Sequence, residues 1–148
     1  GKVCQLECFI DDEMFTTVYG DGLIIATSTG STAYNLSAGG VMVHPSVSTL
    51  LWTPLAPHAL NAHPLVLPDC VGLSFRISND ARGDQPYFVT ADYQKSLMYK
   101  GDVAVIHQSP FPMPTVCVLE PIIDWLTSIS GVLKWNQPME VSELEHDT

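Results

Sequence analysis

The sequence predicts a mainly β fold, a multi-stranded sandwich with one short helix in a central loop and one helix near the C-terminal end. Apolar runs of strand length recur through most of the 148 residues. The 11 prolines and 10 glycines interrupt these runs, as in sandwiches built from many short strands. Only the stretch after Pro121 has apolar residues at three- and four-residue steps, which is the period of a helix.

The first two strands are predicted over residues 3–10 and 14–19, with Asp11, Asp12 and Glu13 between them. A short polar connection between two strand-like runs favours a hairpin. The acidic triplet could be imagined as a metal site, but carboxylates in turns commonly hydrogen-bond to nearby backbone. We therefore expect a solvated turn.

A glycine-rich break and a block of small residues follow the hairpin. Residues 20–22 (GDG) interrupt the pattern, and residues 23–27 form a predicted buried strand. Residues 29–40 (TGSTAYNLSAGG) predict a turn and one short helix capped by Ser31 or Thr32. Further short strands are predicted over residues 49–53, 65–67, 72–78, 87–91 and 103–108.

The C-terminal helix is predicted from six apolar residues that recur on one face. Pro121 lies near its start, where a missing N–H costs least. We expect this helix to dock on the sandwich, residues 1–137 to form one domain, and the acidic residues 138–148 to form a disordered tail. The six apolar residues are Ile122, Trp125, Leu126, Ile129, Val132 and Leu133.

Composition excludes several classes of function. Sixteen acidic and six basic residues give a formal net charge of -10, which disfavours nucleic acid and anionic lipid as partners. Hydrophobic residues make up 46%, enough for a core, yet no apolar run is long enough for a membrane span or a signal peptide. The four cysteines form no C-x-x-C pair, and we expect them to be reduced in an intracellular, soluble domain.

The block after the third strand carries the candidate chemistry. Small residues let a flat ligand approach the backbone, and N–H groups at a helix start can bind its acceptor atoms. Tyr34 offers a ring and a hydroxyl, and Asp21 offers a carboxylate for hydroxyl or carboxamide donors. The block is neither a phosphate loop nor a G-x-G-x-x-G motif, and from these residues alone a simple turn is the alternative. The five histidines are scattered, which disfavours a zinc site.

Residues 20–40 closely resemble the signature of the NAD kinase family, (G/A)-D-G-L-I-x-x-T-P-T-G-S-T-A-Y-x-x-S-A-G-G. The likeness continues through residues 43–46 (VHPS), 53–58 (TPLAPH) and 64–69 (PLVLPD), and into residues 133–136 (LKWN), as in eukaryotic members. It covers roughly residues 3 to 137. The resemblance implies the C-terminal β-sandwich domain of such an enzyme.

Family members transfer the γ-phosphoryl group of ATP, or in some cases polyphosphate, to the 2′-hydroxyl of the adenosine ribose of NAD, with a divalent metal such as Mg²⁺. Their N-terminal domain holds a G-G-D-G loop with the catalytic aspartate and an Asn-Glu pair, and neither motif occurs in this sequence. The resemblance therefore implies no catalytic residue and no metal ligand in this chain. It implies as partners NAD, the N-terminal kinase domain and further copies in a dimer or tetramer, in the cytoplasm or an organelle.

The resemblance also implies a set of NAD-binding residues. Asp21 would contact the nicotinamide half, in the family often from a neighbouring subunit, and Thr29 would line the adenine pocket. Ala56 and His58 match positions on the nicotinamide side, and Gln94 matches the end of the family's D-G-Q motif. The cradle between these parts would consist of Thr32, Ala33, Tyr34, Asn35 and Ser37.

Three residues depart from the family pattern. Ser28 replaces the usual proline, which loosens a rigid turn. Tyr93 replaces the glycine of D-G-Q and is expected to narrow or line the pocket. His63 replaces a common arginine, which removes a fixed positive charge.

Two other functions stay open at this point. The chain could be a stand-alone module that binds NAD or NADP, or that only oligomerises, without kinase activity. It could also belong to the lipid kinases that share the superfamily architecture, although residues 29–40 are specific to the NAD branch.

Overall fold

The computed structural model describes residues 3–91, 93–136 and 138. These residues fall into two compact units that divide between Pro110 and Phe111. Apart from residue 138, the predicted acidic tail lies outside the described residues. The strands are β1 (Cys4–Ile10), β2 (Glu13–Gly20), β3 (Gly22–Thr27), β4 (Thr49–Leu55), β5 (Leu65–Pro68), β6 (Leu73–Ile77), β7 (Tyr87–Ala91), β8 (Gln94–Met98) and β9 (Val103–Ile106). The helices are a 3₁₀ turn (Thr29–Thr32), α1 (Tyr34–Ser37) and α2 (Pro121–Val132).

The strands form three antiparallel sheets, which confirms the mainly β prediction. The first sheet has the order β2-β1-β6-β9, the second β3-β4-β5, and the third contains β7 and β8 alone. Strand β8 was not predicted, because Gln94, Lys95 and Ser96 give it a polar first half. It forms because Ala91 to Tyr87 pair with it along its whole length.

The predicted acidic hairpin is confirmed between β1 and β2. Asp11 and Asp12 have φ angles of 48° and 67°, as the central residues of a tight hairpin turn require. All three acidic side chains are exposed. The Asp11 carboxylate accepts a hydrogen bond of 2.8 Å from the Gly72 N–H, so it links the turn to the start of β6.

A hydrophobic core lies between the first two sheets. Alternate residues of each strand point into it, as the two-residue period of a strand requires. Burial raises the pKa of the Cys8 thiol to about 12. Trp52 is 2% exposed, and its ring centroid lies 5.4 Å from that of Phe75. The buried members are Cys8, Val18, Leu50, Trp52, Leu73 and Phe75.

The helices agree with the prediction in position but not in capping. α2 begins at Pro121, as predicted, and a short helix does occur within residues 29–40. The prediction that Ser31 or Thr32 caps α1 is wrong, because Ala33 occupies the cap position and no side chain caps the helix. The Ser31 hydroxyl is buried and bonded to the backbone of Val43 instead. None of the helices within the described residues has the length and apolar character needed to cross a bilayer.

Candidate functional site

The loop after β3 has one buried face and one open face. Ser28, Ser31 and Asn35 are 7%, 0% and 1% exposed. Their spacing of three and four residues places them on one side of the two short helical turns. The residues between them face outward, so the loop presents a surface to solvent while its other side is fixed to the sandwich.

The open face contains most of the sequence-predicted cradle. Thr29, Ala33 and Ser37 are exposed, Thr32 is half-buried, and Tyr34 is 65% exposed. Such a surface of small and hydroxyl side chains beside an aromatic ring suits a heterocycle and a ribose. The structure therefore brings these five predicted residues together on one surface.

Asn35 is the one predicted cradle residue whose side chain faces inward. Its Nδ2 donates to the carbonyl oxygens of Ser31 and Val41, at 2.9 Å and 3.1 Å. Its Oδ1 accepts a hydrogen bond of 2.7 Å from the hydroxyl of Thr53 on β4. Both amide donors are thus engaged within the protein.

The two serines hold the rest of the buried face. The Ser31 hydroxyl donates to the Val43 carbonyl and accepts from the Val43 N–H, at 3.1 Å and 3.0 Å. The Ser28 hydroxyl donates to the Pro45 carbonyl at 3.2 Å. Ser28 stands where the family signature has proline, a residue that restricts the backbone. In this chain a side-chain hydrogen bond holds the same position instead.

Three further predicted residues lie at the opposite end of β3. Asp21 directly precedes β3, and its N–H donates to the Leu55 carbonyl at 2.9 Å. Ala56 follows Leu55 with a φ of 41°, and the His58 N–H donates to the Tyr19 carbonyl at 2.9 Å. Asp21, Ala56 and His58 are all exposed, and these contacts gather them into a second group.

The two groups are separated by the length of β3. Six residues form this strand, and a rise of about 3.3 Å per residue makes it about 17 Å from end to end. The cradle follows its C-terminal end and Asp21 precedes its N-terminal end. Within one chain, the cradle and the group of Asp21, Ala56 and His58 therefore lie on two separate surfaces.

Gln94 lies on a third element, the β7–β8 hairpin. It is the first residue of β8 and is exposed. The preceding residue, Tyr93, has a φ of 67°, a left-handed conformation that glycine adopts more readily than an aromatic residue does. No hydrogen bond among the described residues joins Gln94 to either group of predicted residues.

The cradle is electrically neutral. Residues 28–45 include no aspartate, glutamate, lysine or arginine, although the whole chain has a formal charge of -10. The Arg76 guanidinium lies away from the loop on β6 and binds Glu7 on β1, with 2.7 Å between Nε and Oε2. This hydrogen bond lowers the pKa of the Glu7 carboxyl. Nothing in the loop itself can neutralise a triphosphate.

Sequence reasoning missed two features of this region. One is Thr53, whose hydroxyl meets Asn35 across 18 residues of sequence. The other is a cavity of about 370 Å³ between β2, β4 and the following loop. The β1–β2 register shifts between Cys8 and Phe9, opposite Phe15, which is one of the residues that line the cavity. The cavity is lined in part by Phe15, Trp52, Pro54, Pro57, Ala62 and His63, and by no carboxylate, lysine or arginine.

The chain is similar to several known proteins. Residues 1–118 match the model of the ATP-NAD kinase C-terminal domain. The chain is 44% identical to "Probable NAD kinase 1" of Oryza sativa subsp. japonica over 88% of the chain, and it covers 24% of that protein. It is 40% identical to "NAD kinase 2, chloroplastic" of Arabidopsis thaliana over 95% of the chain, and it covers 14% of that protein. The chain thus spans a quarter or less of the length of these relatives.

A solved structure shows the same fold. The crystal structure of yeast NADH kinase complexed with NADH matches 95% of this chain and 42% of its own, with a TM-score of 0.79 and 30% sequence identity. The resemblance read from residues 20–40 is therefore confirmed over most of the chain. The chain belongs to the family of ATP-NAD kinase C-terminal domains.

Proposed function

We propose that this chain is the NAD-binding domain of an enzyme that phosphorylates the 2′-hydroxyl of the adenosine ribose of NAD with ATP, forming NADP. The observation that carries this proposal is the open face of the loop after β3. There, exposed Tyr34 and small residues lie on a backbone that buried side chains hold in place. The NADH complex of the yeast structural relative supports the choice of ligand.

The proposed contacts follow the two groups of exposed residues. Thr29 lines the adenine pocket, and Asp21, Ala56 and His58 contact the nicotinamide half. Gln94 completes the site from the β7–β8 hairpin. The cradle between the two halves of the ligand consists of Thr32, Ala33, Tyr34 and Ser37, with Asn35 as its buried member.

We further propose a division of labour between this domain and the rest of the enzyme. Phosphoryl transfer needs positioning, a divalent metal, neutralisation of charge and a group that accepts the hydroxyl proton. The neutral loop supplies positioning, and no group of three or more His, Cys, Asp or Glu among the described residues could hold a metal ion. We place the catalytic aspartate and the residues that hold the metal, proposed to be Mg²⁺, in the N-terminal domain, where the family carries its G-G-D-G and Asn-Glu motifs. The four cysteines, all within the described residues, form no disulfide bond, as in a reducing compartment, and we propose the cytoplasm, with an organelle as the alternative.

Kinetics of the full-length protein that contains this chain test the proposal. We expect it to form NADP from NAD and ATP, and Tyr34→Ala to raise KM for NAD at least tenfold more than KM for ATP. The 148-residue chain alone should form no NADP. Absence of NADP with the full-length protein would refute the activity, and NADP formed by the isolated chain would refute the division of labour.

We propose that the two groups of site residues meet between two copies of the protein. They lie at opposite ends of β3, and β3 and β2 are edge strands of their sheets. The cradle of one copy would then receive Asp21, Ala56 and His58 from another. A homo-oligomer, a dimer or a tetramer, follows from this arrangement.

Mixing two impaired variants, assayed at an NAD concentration too low for either alone to turn over, distinguishes a shared site from a single-chain site. Full-length Asp21→Ala and Tyr34→Ala, co-expressed in equal amounts, should recover about a quarter of wild-type activity, because random dimers restore one intact site in half of the molecules. Tyr34→Ala mixed with Thr32→Ala is the matched control, because both changes lie in the same group. Recovery in neither mixture would show that each site lies within one chain.

A further inference from the structure

We infer that Thr53 and Asn35 form a clamp that sets the shape of the cradle, so that Thr53 is a positioning residue for NAD. This inference rests on the proposed function. Thr53 lies on β4 and is 1% exposed, and it contacts the buried cradle residue Asn35. Its hydroxyl donates to the Asn35 Oδ1 at 2.7 Å, which fixes α1 to the second sheet.

The hydrogen bonds of Asn35 join three segments of backbone. The amide group binds the 3₁₀ turn through the Ser31 carbonyl and the far side of the loop through the Val41 carbonyl. Thr53 adds the sheet. A single buried carboxamide therefore fixes both arms of the loop against β4, and an unpaired atom at this position would carry the full cost of desolvation.

The loop is shaped around this amide. Gly40 is buried, and its N–H donates to the backbone carbonyl of Asn35 at 2.8 Å. A Cβ atom at position 40 would collide with the Asn35 carboxamide. The fit of a glycine against the amide indicates that the position of Asn35 is a specified feature of the loop.

The clamp determines where the open face lies. α1 has only four residues, far below the length at which a helix is stable alone, so its orientation depends on tertiary contacts. Tyr34 directly precedes Asn35, and Ser37 follows it by two residues; both face outward while Asn35 faces inward. A loop held in its ligand-binding shape loses less conformational entropy when NAD binds.

The decisive pair of variants is Thr53→Val and Thr53→Ser in the full-length protein. Valine keeps the shape but has no hydroxyl and leaves the Asn35 Oδ1 without this donor, whereas serine keeps the donor. We expect Thr53→Val to raise KM for NAD about tenfold, with kcat and KM for ATP within twofold of wild type. Thr53→Ser should restore KM for NAD to within about threefold of wild type.

A matched control separates positioning from a general loss of stability. Ser78 is also 1% exposed, and its hydroxyl accepts hydrogen bonds from Gln5 and from the Asp80 N–H, remote in sequence from the loop. Ser78→Ala should lower the melting temperature by an amount similar to Thr53→Val and leave KM for NAD unchanged. If both variants raise KM for NAD equally, Thr53 has only a structural role and the inference is wrong.

A second readout does not depend on NAD. Amide hydrogen exchange across residues 31–43 should accelerate at least tenfold in Thr53→Val and stay near wild type in Thr53→Ser and Ser78→Ala. If the wild-type protein fails to bind NAD, the proposed function falls, and this exchange pattern still decides whether the clamp orders the loop. Unchanged exchange in Thr53→Val would overturn the inference.

Discussion

The two ends of β3 are held by different kinds of interaction. At the C-terminal end, buried side chains of Ser28, Ser31 and Asn35 hold the loop through hydrogen bonds. At the N-terminal end, backbone hydrogen bonds hold Asp21 and His58, and Gly20 allows the close approach of neighbouring backbone. The comparison teaches that the first end depends on polar side-chain atoms, whereas the second depends on backbone contacts that leave no room for a Cβ atom at Gly20.

The largest effect is expected at Gly20. A Cβ atom there would lie 2.6 Å from the Leu55 carbonyl oxygen and 3.0 Å from that of Ala56, and neither backbone atom can move freely. Gly20→Ala should lower the free energy of unfolding by about 3 kcal/mol, measured by urea denaturation. Gly22→Ala is the control, because its Cβ would meet only a Leu55 methyl group at 3.5 Å. Equal losses in the two variants would contradict the proposed difference between the ends.

Ser31→Ala is expected to lower the free energy of unfolding by a smaller amount. The change removes both hydrogen bonds to the half-buried Val43 and leaves its N–H and carbonyl without these partners, which costs about 2 kcal/mol. Ser37→Ala, on the open face, should change the free energy of unfolding by less than about 0.5 kcal/mol while weakening NAD binding. Denaturation combined with calorimetric titration of NAD measures both quantities. A large loss of stability from Ser37→Ala would show that the two faces are not distinct.

Ser28 allows a sharper test of how the loop is held. Ser28→Ala removes the bond to Pro45 and should cost about 1 kcal/mol. The Ser28 φ of -54° already suits proline. Ser28→Pro loses the hydrogen bond but restricts the unfolded chain, so its free energy of unfolding should stay within about 0.5 kcal/mol of wild type. Thermal unfolding of the two variants checks this, and a loss from proline as large as that from alanine would argue against the exchange.

The smallest effect is expected at the β7–β8 turn, where Tyr93 stands in place of the glycine of the D-G-Q motif. Tyr93 has a φ of 67°, so Tyr93→Gly relieves backbone strain of about 1 kcal/mol. Glycine also makes the unfolded chain more flexible, which offsets part of this gain in stability. We expect a net gain of about 0.5 kcal/mol. This gain should appear as slower amide hydrogen exchange in β8 of the variant. Faster exchange would show that the Tyr93 ring stabilises the turn.

Much of this architecture was readable from local patterns. The apolar alternation of β1 and β6 and the paired aspartates of the first turn are local signals, and both were predicted correctly. β8 was missed because its stability comes from pairing with β7 rather than from its own residues. The cap of α1 was predicted wrongly because Ser31, a good capping residue by type, is used in a tertiary contact.

The members of the candidate site stay a prediction from the sequence, whereas their arrangement could be seen only in the structure. The resemblance of residues 20–40 to a known signature predicts most of the exposed residues of the site, but it does not predict that the Asn35 side chain faces inward. Thr53 could not be found, because its contact with Asn35 depends on how the loop folds back onto β4. The separation of Asp21 from the cradle likewise follows only from β3 being an extended strand.

The absence of charged side chains from residues 28–45 has a consequence for self-association. Two copies with a formal charge of -10 each repel one another in solution, but a neutral stretch offers a place where their surfaces can meet with little opposition. Dissolved ions screen the remaining long-range repulsion between the copies. Higher ionic strength should therefore favour the proposed association of two copies around the loop.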